Sequence, residues 1–463
     1  MLKRKLYTSL GLISILGLLC QGCQKNPERD YVINKNEGIL EERLKEKETK
    51  KEKNPDTYQD EFENNAGDIT VKIEAEIEDV KSKLPVVRVA PHEITVDEVK
   101  HWTNVLFEGE KAYEPRRELS KQEIEQEILQ YKKLVNDRES LVKEYGSEED
   151  AQKMIEYYKQ EIEHLQKVYQ TAPEKVEKIP CDWKFKPYDY YMTDGEMWEG
   201  NDQFEALKKT KELQAVTEEL NGYEAIVSAV NRDEKDYRMH TLWFYYTKPE
   251  LMTNIPYKKT SMEEAISLSK EIIEKLELGE WKLQYTADNS NENESRQSLL
   301  YTPTFHNVGV FGGNSIEIDL KSDELYASNY YYTKLEIGVF NGMIDEVLLT
   351  SPVDIVKIEN DNVSTISFEE AYQAFKNQMQ TKYTKNALIE GGEAEKEDVE
   401  IQVNHIVQGL FRIKEKGNEE EFLMVPAWAF KGEWYMNGES MGEQDFCVIN
   451  AIDGSTIDVA LGY

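Results

Sequence analysis

Between Ile69 and Ile77 the apolar residues Ile69, Val71, Ile73, Ala75 and Ile77 alternate with Thr70, Lys72, Glu74 and Glu76. A period of two predicts a strand with one buried face. Val86 to Val89 follows Pro85 as a second short strand. The pattern then changes at Ile94-Thr95-Val96-Asp97-Glu98-Val99. Thr95 can cap a helix, Glu98 can reach back to it, and Ile94 with Val99 forms a hydrophobic staple. A helix running to about Phe107 is expected.

Residues 118–171 carry a 4-3 apolar spacing instead. Ile124, Ile128, Tyr131, Val135, Val142 and Tyr145 form one run and Gly146 interrupts it. Ala151, Ile155, Tyr158, Ile162, Leu165 and Tyr169 form the next, which Pro173 ends. Ser120 with Glu123 and Ser147 with Asp150 mark polar starts. The pattern predicts an antiparallel helical hairpin. Its seam either closes on itself and the body or serves as a protruding partner-binding arm.

From Glu174 the chain reads mostly as strands. Asn221-Gly222 and Asn341-Gly342 each sit between apolar runs and predict hairpins with a type I′ turn. Ser261-Met262-Glu263-Glu264-Ala265 and Ser367-Phe368-Glu369-Glu370-Ala371 open two further helices with capping boxes, each followed by strand-like sequence. Thr95 to Val99 is a weaker copy of the same opening. Phe446 to Ala451 and Thr456 to Leu461 are the last strands, joined around Asp453-Gly454. The expected fold class is α+β: helices packed on antiparallel sheets in two or three repeated modules, plus the helical hairpin.

The N-terminus changes the picture of where such a body works. Lys3, Arg4 and Lys5 precede an apolar run from Leu10 to Leu19, which is shorter than the roughly 20 residues a permanent span needs. Gly22 then stands before Cys23, and a small residue before Cys is what lipoprotein maturation requires. Residues 1–22 therefore read as a lipoprotein signal peptide, with Cys23 as the lipid attachment point. The expected location is the outer face of the cytoplasmic membrane. Residues 23–66 read as a flexible tether, since Glu41 to Lys53 is almost wholly charged and too little apolar surface is available to offset the entropy of folding. Signal and tether are expected to be disordered.

Charge and composition narrow the partners. The chain has 90 acidic against 56 basic residues, a formal charge of −34. Nucleic acid is excluded as a partner, because phosphate binding needs clustered Lys and Arg. The apolar fraction is 39%, but 27 Tyr, 14 Phe and 7 Trp supply large buriable area. Beyond Cys20 and Cys23 only Cys181 and Cys447 remain, and the sequence leaves open whether they pair.

Four segments together carry a family likeness. They are Gly22-Cys23-Gln24, the stretch Val71 to Glu76 leading to Leu84-Pro85-Val86-Val87-Arg88-Val89, Val425-Pro426-Ala427-Trp428, and Val448-Ile449-Asn450-Ala451-Ile452-Asp453-Gly454-Ser455. With them the chain resembles a family of uncharacterised lipoproteins of clostridial-type Gram-positive bacteria, carried as a domain of unknown function. The final helix–strand–strand unit is similar to exported PepSY-type modules. The first resemblance implies localisation, and the second implies binding or inhibitory roles. Neither implies a catalytic residue.

Residue chemistry points the same way. The six His form neither HExxH nor a zinc-spaced Cys/His set. The P-loop and the Rossmann glycine pattern do not occur. Asp288 to Glu294 lacks the Gly and the bidentate Glu of a calcium loop. No cofactor, metal or catalytic residue is therefore assigned. Two aromatic groups invite a ligand: Trp183, Tyr190, Tyr191 and Trp198 in one, Tyr330 and Tyr331 in the other. Exposed Tyr and Trp faces stack on sugars and peptides, and the same residues also pack sheets.

The resulting expectation is a membrane-anchored binding or interaction protein of the cell envelope, non-catalytic, with an envelope protein, peptide or glycan partner. The alternative is an envelope hydrolase with a dispersed, motif-free active site. An N-terminal α+β domain is expected over 67–258 and a C-terminal one with a PepSY-like end over 259–463.

Overall fold

The computed structural model describes residues 42, 44–46, 54–80, 83–115, 118–187, 210–221, 223–234, 237–247, 255–291, 294–311, 330–385, 397–415, 418 and 420–457. Its early elements are β1 (Thr57–Glu63), β2 (Thr70–Glu78), β3 (Val86–Pro91), α1 (Val96–Leu106), α2 (Lys121–Asn136), α3 (Arg138–Tyr145) and α4 (Glu148–Tyr169). The middle of the chain supplies β4 (Lys186–Pro187), β5 (Lys211–Leu220), β6 (Tyr223–Glu234), β7 (Tyr237–Tyr246), α5 (Met262–Lys275), β8 (Trp281–Asp288), β9 (Arg296–Phe305) and β10 (Val308–Gly309). Then come β11 (Lys334–Phe340), β12 (Met343–Thr350), β13 (Val353–Asn360), α6 (Phe368–Lys382), β14 (Val399–Lys414), β15 (Phe422–Met436), β16 (Glu439–Asn450) and β17 (Thr456–Ile457).

The strands form two sheets, and the fold is mixed α+β. One sheet has eight strands in the order β1-β2-β14-β15-β16-β17, with β3 beside β15 and β13 beside β3. The other has nine, in the order β10-β9-β11-β12-β7-β6-β5-β4, with β8 on β9. Among the described strands all ladders are antiparallel except β2 with β14, which run parallel. The boundary expected at 258/259 does not separate these sheets. β7 before it pairs with β12 after it, and β2 pairs with β14 over more than three hundred residues. Pairing between distant strands leaves no local mark in the sequence.

Helices cover the sheets unequally. Val99, Trp102 and Leu106 of α1 and Ala265, Ile272 and Ile273 of α5 share one core with the nine-stranded sheet. Phe368, Ala371, Tyr372, Phe375 and Met379 of α6 lie on the eight-stranded sheet. The sheets meet through Leu84, Val87, Val89, Phe305, Val308, Val310, Tyr330, Leu410, Phe422 and Met424. Arg238 clamps Glu420 across this joint at 2.8 and 3.0 Å. His92 bridges it too, at 2.9 Å from Glu98 at the start of α1 and 3.0 Å from Asp354 on β13. The Glu98 hydrogen bond first, and then that of Asp354, raise the His92 pKa to about 9 against the effect of burial.

The expected tether is ordered in part. Thr57–Glu63 is an edge strand. Its Tyr58 and Phe62 pack against α6, and Lys376 binds Asp60 at 2.7 Å. Asn64 is buried and donates to Asp68 at 2.6 Å and to the Tyr383 carbonyl at 2.8 Å. Further back, Asn360 donates to the carbonyls of Leu44 and Glu46 at 2.8 and 2.9 Å. Residues 44–46 and 57–66 therefore belong to the body. Only two apolar side chains in β1 reach the core, too few to show as a pattern among so many charges.

The caps fall where the sequence places them: Thr95, Ser120, Ser147, Ser261 and Ser367 each accept from the third helical N–H. The hairpin differs in its first limb. That limb breaks at Asp137, which ends α2 and caps α3 by accepting from Ser140 N–H. Ile124, Tyr131, Leu141, Ala151, Ile155, Tyr158 and Leu165 form a core made only of this arm. Tyr131 stacks on Tyr158 at 5.5 Å. The seam closes on itself. At its base, Tyr113 bonds Val216 in both directions and Glu114 N–H bonds the Ile179 carbonyl at 2.8 Å. Replacing residues 120–172 with a short Gly/Ser linker should therefore leave the body's melting temperature within about 3 °C of the parent while removing helical circular dichroism. Loss of the body's cooperative transition would show that the arm is part of its core.

Candidate functional site

The nine-stranded sheet has one face under α1 and α5. The buried faces of the other described helices lie elsewhere, α6 on the second sheet and α2–α4 on each other. Its second face can be read from the strand registers. One row across the sheet is Val216, Ile226, Tyr245, Glu346, Gly338 and Ser298. The next is Gln214, Ser228, Trp243, Leu348, Glu336, Leu300 and Tyr285. Tyr245, Trp243, Leu348, Leu300 and Glu336 are half-buried, and Tyr285 is exposed.

A bulge shapes the middle of this face. The register between β11 and β12 shifts at Gly338/Val339, leaving Asp345 as the extra residue. A bulge turns consecutive side chains to one side. Gly338 makes room for the result: a Cβ there would lie 2.7 Å from Asp345 Oδ1 and 3.1 Å from Glu346 Cβ. Asp345 and Glu346 thus sit together over Gly338.

The neighbours of these carboxyls are specific. Trp243 Nε1–H donates to Glu346 Oε1 at 2.9 Å. Its ring lies 4.2 Å from that of Tyr245 at 33°. Arg296 Nη1 binds Asp345 Oδ2 at 2.7 Å, and its guanidinium lies 4.7 Å from the Phe340 ring. Lys334 pairs with Glu336. Asp345 is 8% exposed, and its Oδ1 has no hydrogen-bond partner among the described residues. Burial raises the pKa of Glu346, and the Asp345 and Glu336 charges push the same way. Burial also raises that of Asp345, with Arg296 opposing. Two desolvated carboxyls, an arginine and an aromatic pair thus lie together on one sheet face, a cluster of perturbed acids that makes it the candidate site.

The residues selected from sequence lie elsewhere. Trp183 is half-buried and packs on the core under α1 and α5. Tyr330 is 1% exposed, stacks on Phe422 at 6.1 Å and donates to the Pro352 carbonyl at 2.5 Å. The Tyr331 carbonyl accepts from Arg412 at 2.7 Å. Arg412 is fully buried between Tyr332 and Phe422, 4.4 and 4.6 Å from their rings. Tyr330 and Arg412 thus pack at the joint between the sheets. Tyr190, Tyr191, Trp198 and Cys23 lie outside the described residues. Cys181 and Cys447 are free buried thiols in separate cores. Among the described residues no group of three or more His, Cys, Asp or Glu is arranged to hold a metal ion. An open groove of about 880 Å³ lies at the end of α5, but its Trp281 indole N–H is bound to the Leu278 carbonyl at 2.9 Å and its Lys282 to Glu78 at 2.5 Å.

No family model matches the chain, and no curated protein matches it. Solved structures that resemble it include an uncharacterized protein from Eubacterium rectale, at 11% identity and a TM-score of 0.41, covering 92% of this chain and 99% of that one. Another is the YpeB C-terminal domain of Bacillus megaterium, at 12% identity and a TM-score of 0.23, covering 50% of this chain and 89% of that one. Neither similarity is close enough to carry an argument about function. No helix among the described residues is long and apolar enough to cross a membrane.

Proposed function

We propose that this chain is a lipid-anchored binding protein of the cell envelope, tethered through Cys23 to the outer face of the cytoplasmic membrane. On this reading it takes its ligand on the face of the nine-stranded sheet turned away from α1 and α5. The observation that supports binding is the half-buried Trp243–Tyr245 pair beside Glu346, Asp345 and Arg296. The observation that supports the anchor is Gly22-Cys23 after the short apolar run. The last helix and strands, from Ser367 to Ile457, are read as a PepSY-like unit. Two or three acyl chains would hold the protein stably, at about 0.8 kcal/mol per buried methylene. The −34 charge keeps the body off anionic headgroups. Cys23→Ala should abolish labelling of the protein by a radioactive fatty acid and release it from the membrane fraction. Continued labelling of that variant would overturn the anchor.

A second reading, an envelope hydrolase, is favoured by one feature. Asp345 and Glu346 are neighbouring carboxyls of raised pKa on a bulge, the condition in which a carboxylic acid can keep a proton for general acid catalysis. Turnover of an envelope polymer that is lost in Glu346→Gln would decide for it.

A further inference from the structure

We propose that the surface around Gly338 holds a pyranose ring of a glycan that carries no acidic groups, an inference that rests on this face being the binding face. β7, β11 and β12 are interior strands with neighbours on both sides, so their backbone groups are consumed by the ladders. A ligand on this face must be gripped by side chains alone. An extended peptide gains most of its affinity by joining a free sheet edge, and here it would press its own backbone groups unpaired onto the sheet. A pyranose matches the surface better. Its C–H face can lie against Trp243 and Tyr245, while its hydroxyls donate to carboxylates and accept from a guanidinium.

The polar groups are set for that exchange. Glu346, two residues along β12 from Leu348, and Glu336, across from Leu348 on β11, are half-buried acceptors. Arg296 is held in the face by its ion pair with Asp345. Asp345 is the positioning residue, tucked into the room left by Gly338. Its second oxygen is closed from solvent, so Asp345 acts on a ligand through Arg296 and not by direct contact. Charge selects among sugars. Glu336, Asp345 and Glu346 face Arg296 and Lys334, in a chain of −34, so phosphorylated or carboxylated glycans are repelled.

The test is titration of the mature full-length protein, followed by tryptophan fluorescence and calorimetry. The probes are cellohexaose, maltohexaose and chitohexaose, with oligogalacturonate as the anionic arm and hexalysine as the basic-peptide arm. At least one neutral hexasaccharide should bind and oligogalacturonate should not. Trp243→Phe, which removes the indole N–H and part of the stacking area, and the isosteric Glu346→Gln should each weaken that binding by about tenfold or more. Trp281→Ala, in the groove at the end of α5, should leave it unchanged. Hexalysine binding that is lost in Glu346→Gln, with no sugar bound, would overturn the pyranose and keep the face. Sugar binding lost only in Trp281→Ala would overturn the location. Failure of every probe to bind at this face would overturn both the inference and the reading beneath it.

Discussion

Alanine at Gly432 should cost about 3 kcal/mol or more of unfolding free energy, at or beyond the upper end of ordinary overpacking. Gly432 lies in β15 opposite Val403, where β14 carries a bulge between Val403 and His405. The bulge brings the neighbouring strand directly over the glycine. A Cβ would fall 1.9 Å from the Gln402 carbonyl oxygen and 2.9 Å from Val403 Cα. Both obstacles are backbone atoms, so no side chain can swing away. Relief requires straightening the bulge, and that slips Val399 to Val403 by one residue. Val399, Ile401 and Val403, now buried under α6, would turn to the other face. The control is Gly109, at φ +85° with nothing within 4 Å of a built Cβ. Gly109→Ala carries only left-handed backbone strain, about 1–2 kcal/mol. Urea unfolding of both variants separates the effects. A Gly432→Ala loss no larger than that of Gly109→Ala would show that the bulge is not needed.

Local features were legible in the sequence and distant pairings were not. The caps at Thr95, Ser120, Ser147, Ser261 and Ser367 follow from chemistry within one helical turn. So does the turn at Asn341-Gly342, with φ of +49° and +80°. Asn437-Gly438 carries the same signal, with φ of +54° and +83° between β15 and β16. Its second flank, Glu439 to Asp445, reads as polar, so a hairpin rule that needs apolar alternation on both sides does not select it. The final strands pair around Asp453-Gly454 as Val448 with Ile457 and Ile449 with Thr456, and Gly454 has φ +76°. The parallel contact of β2 with β14 and the adjacency of β7 and β12 come from topology, to which no stretch of sequence is sensitive. The candidate site was hidden for a related reason. Trp243, Glu346 and Arg296 come from three strands, and only their register joins them. One local signal existed: Asp345-Glu346 breaks the alternation of β12 opposite Gly338, which marks a bulge. Counting aromatic residues pointed instead to Tyr330, whose ring belongs to the joint between sheets.

Phe375→Ala should lose about 3–5 kcal/mol, the range for emptying a fully buried aromatic site. The ring has no exposed surface and lies flat on Phe430 of β15, 4.2 Å away at 10°. It also meets Phe62 of β1 edge-on at 6.5 Å and Tyr372 at 6.1 Å. One side chain thus joins α6 to the centre of the eight-stranded sheet and to its edge. The edge is the vulnerable part. Among the described residues β1 pairs only with β2. Its remaining ties to α6 are Tyr58, packed on Phe368 and Tyr372, and Asp60, which accepts from the Tyr372 hydroxyl and Lys376. Removing the Phe375 ring takes the support from beneath Phe62 and leaves a cavity next to it. The amides of Thr57–Glu63 should then lose hydrogen-exchange protection before those of β14 and β15, because an edge strand opens at lower free energy than the centre. Phe375→Leu, which keeps most of the volume, should cost about 1.5 kcal/mol or less and preserve the protection of β1. If Phe375→Ala left β1 protected while lowering global stability, the edge would be held by its ladder to β2 alone. The order in residues 57–63 would then not depend on α6.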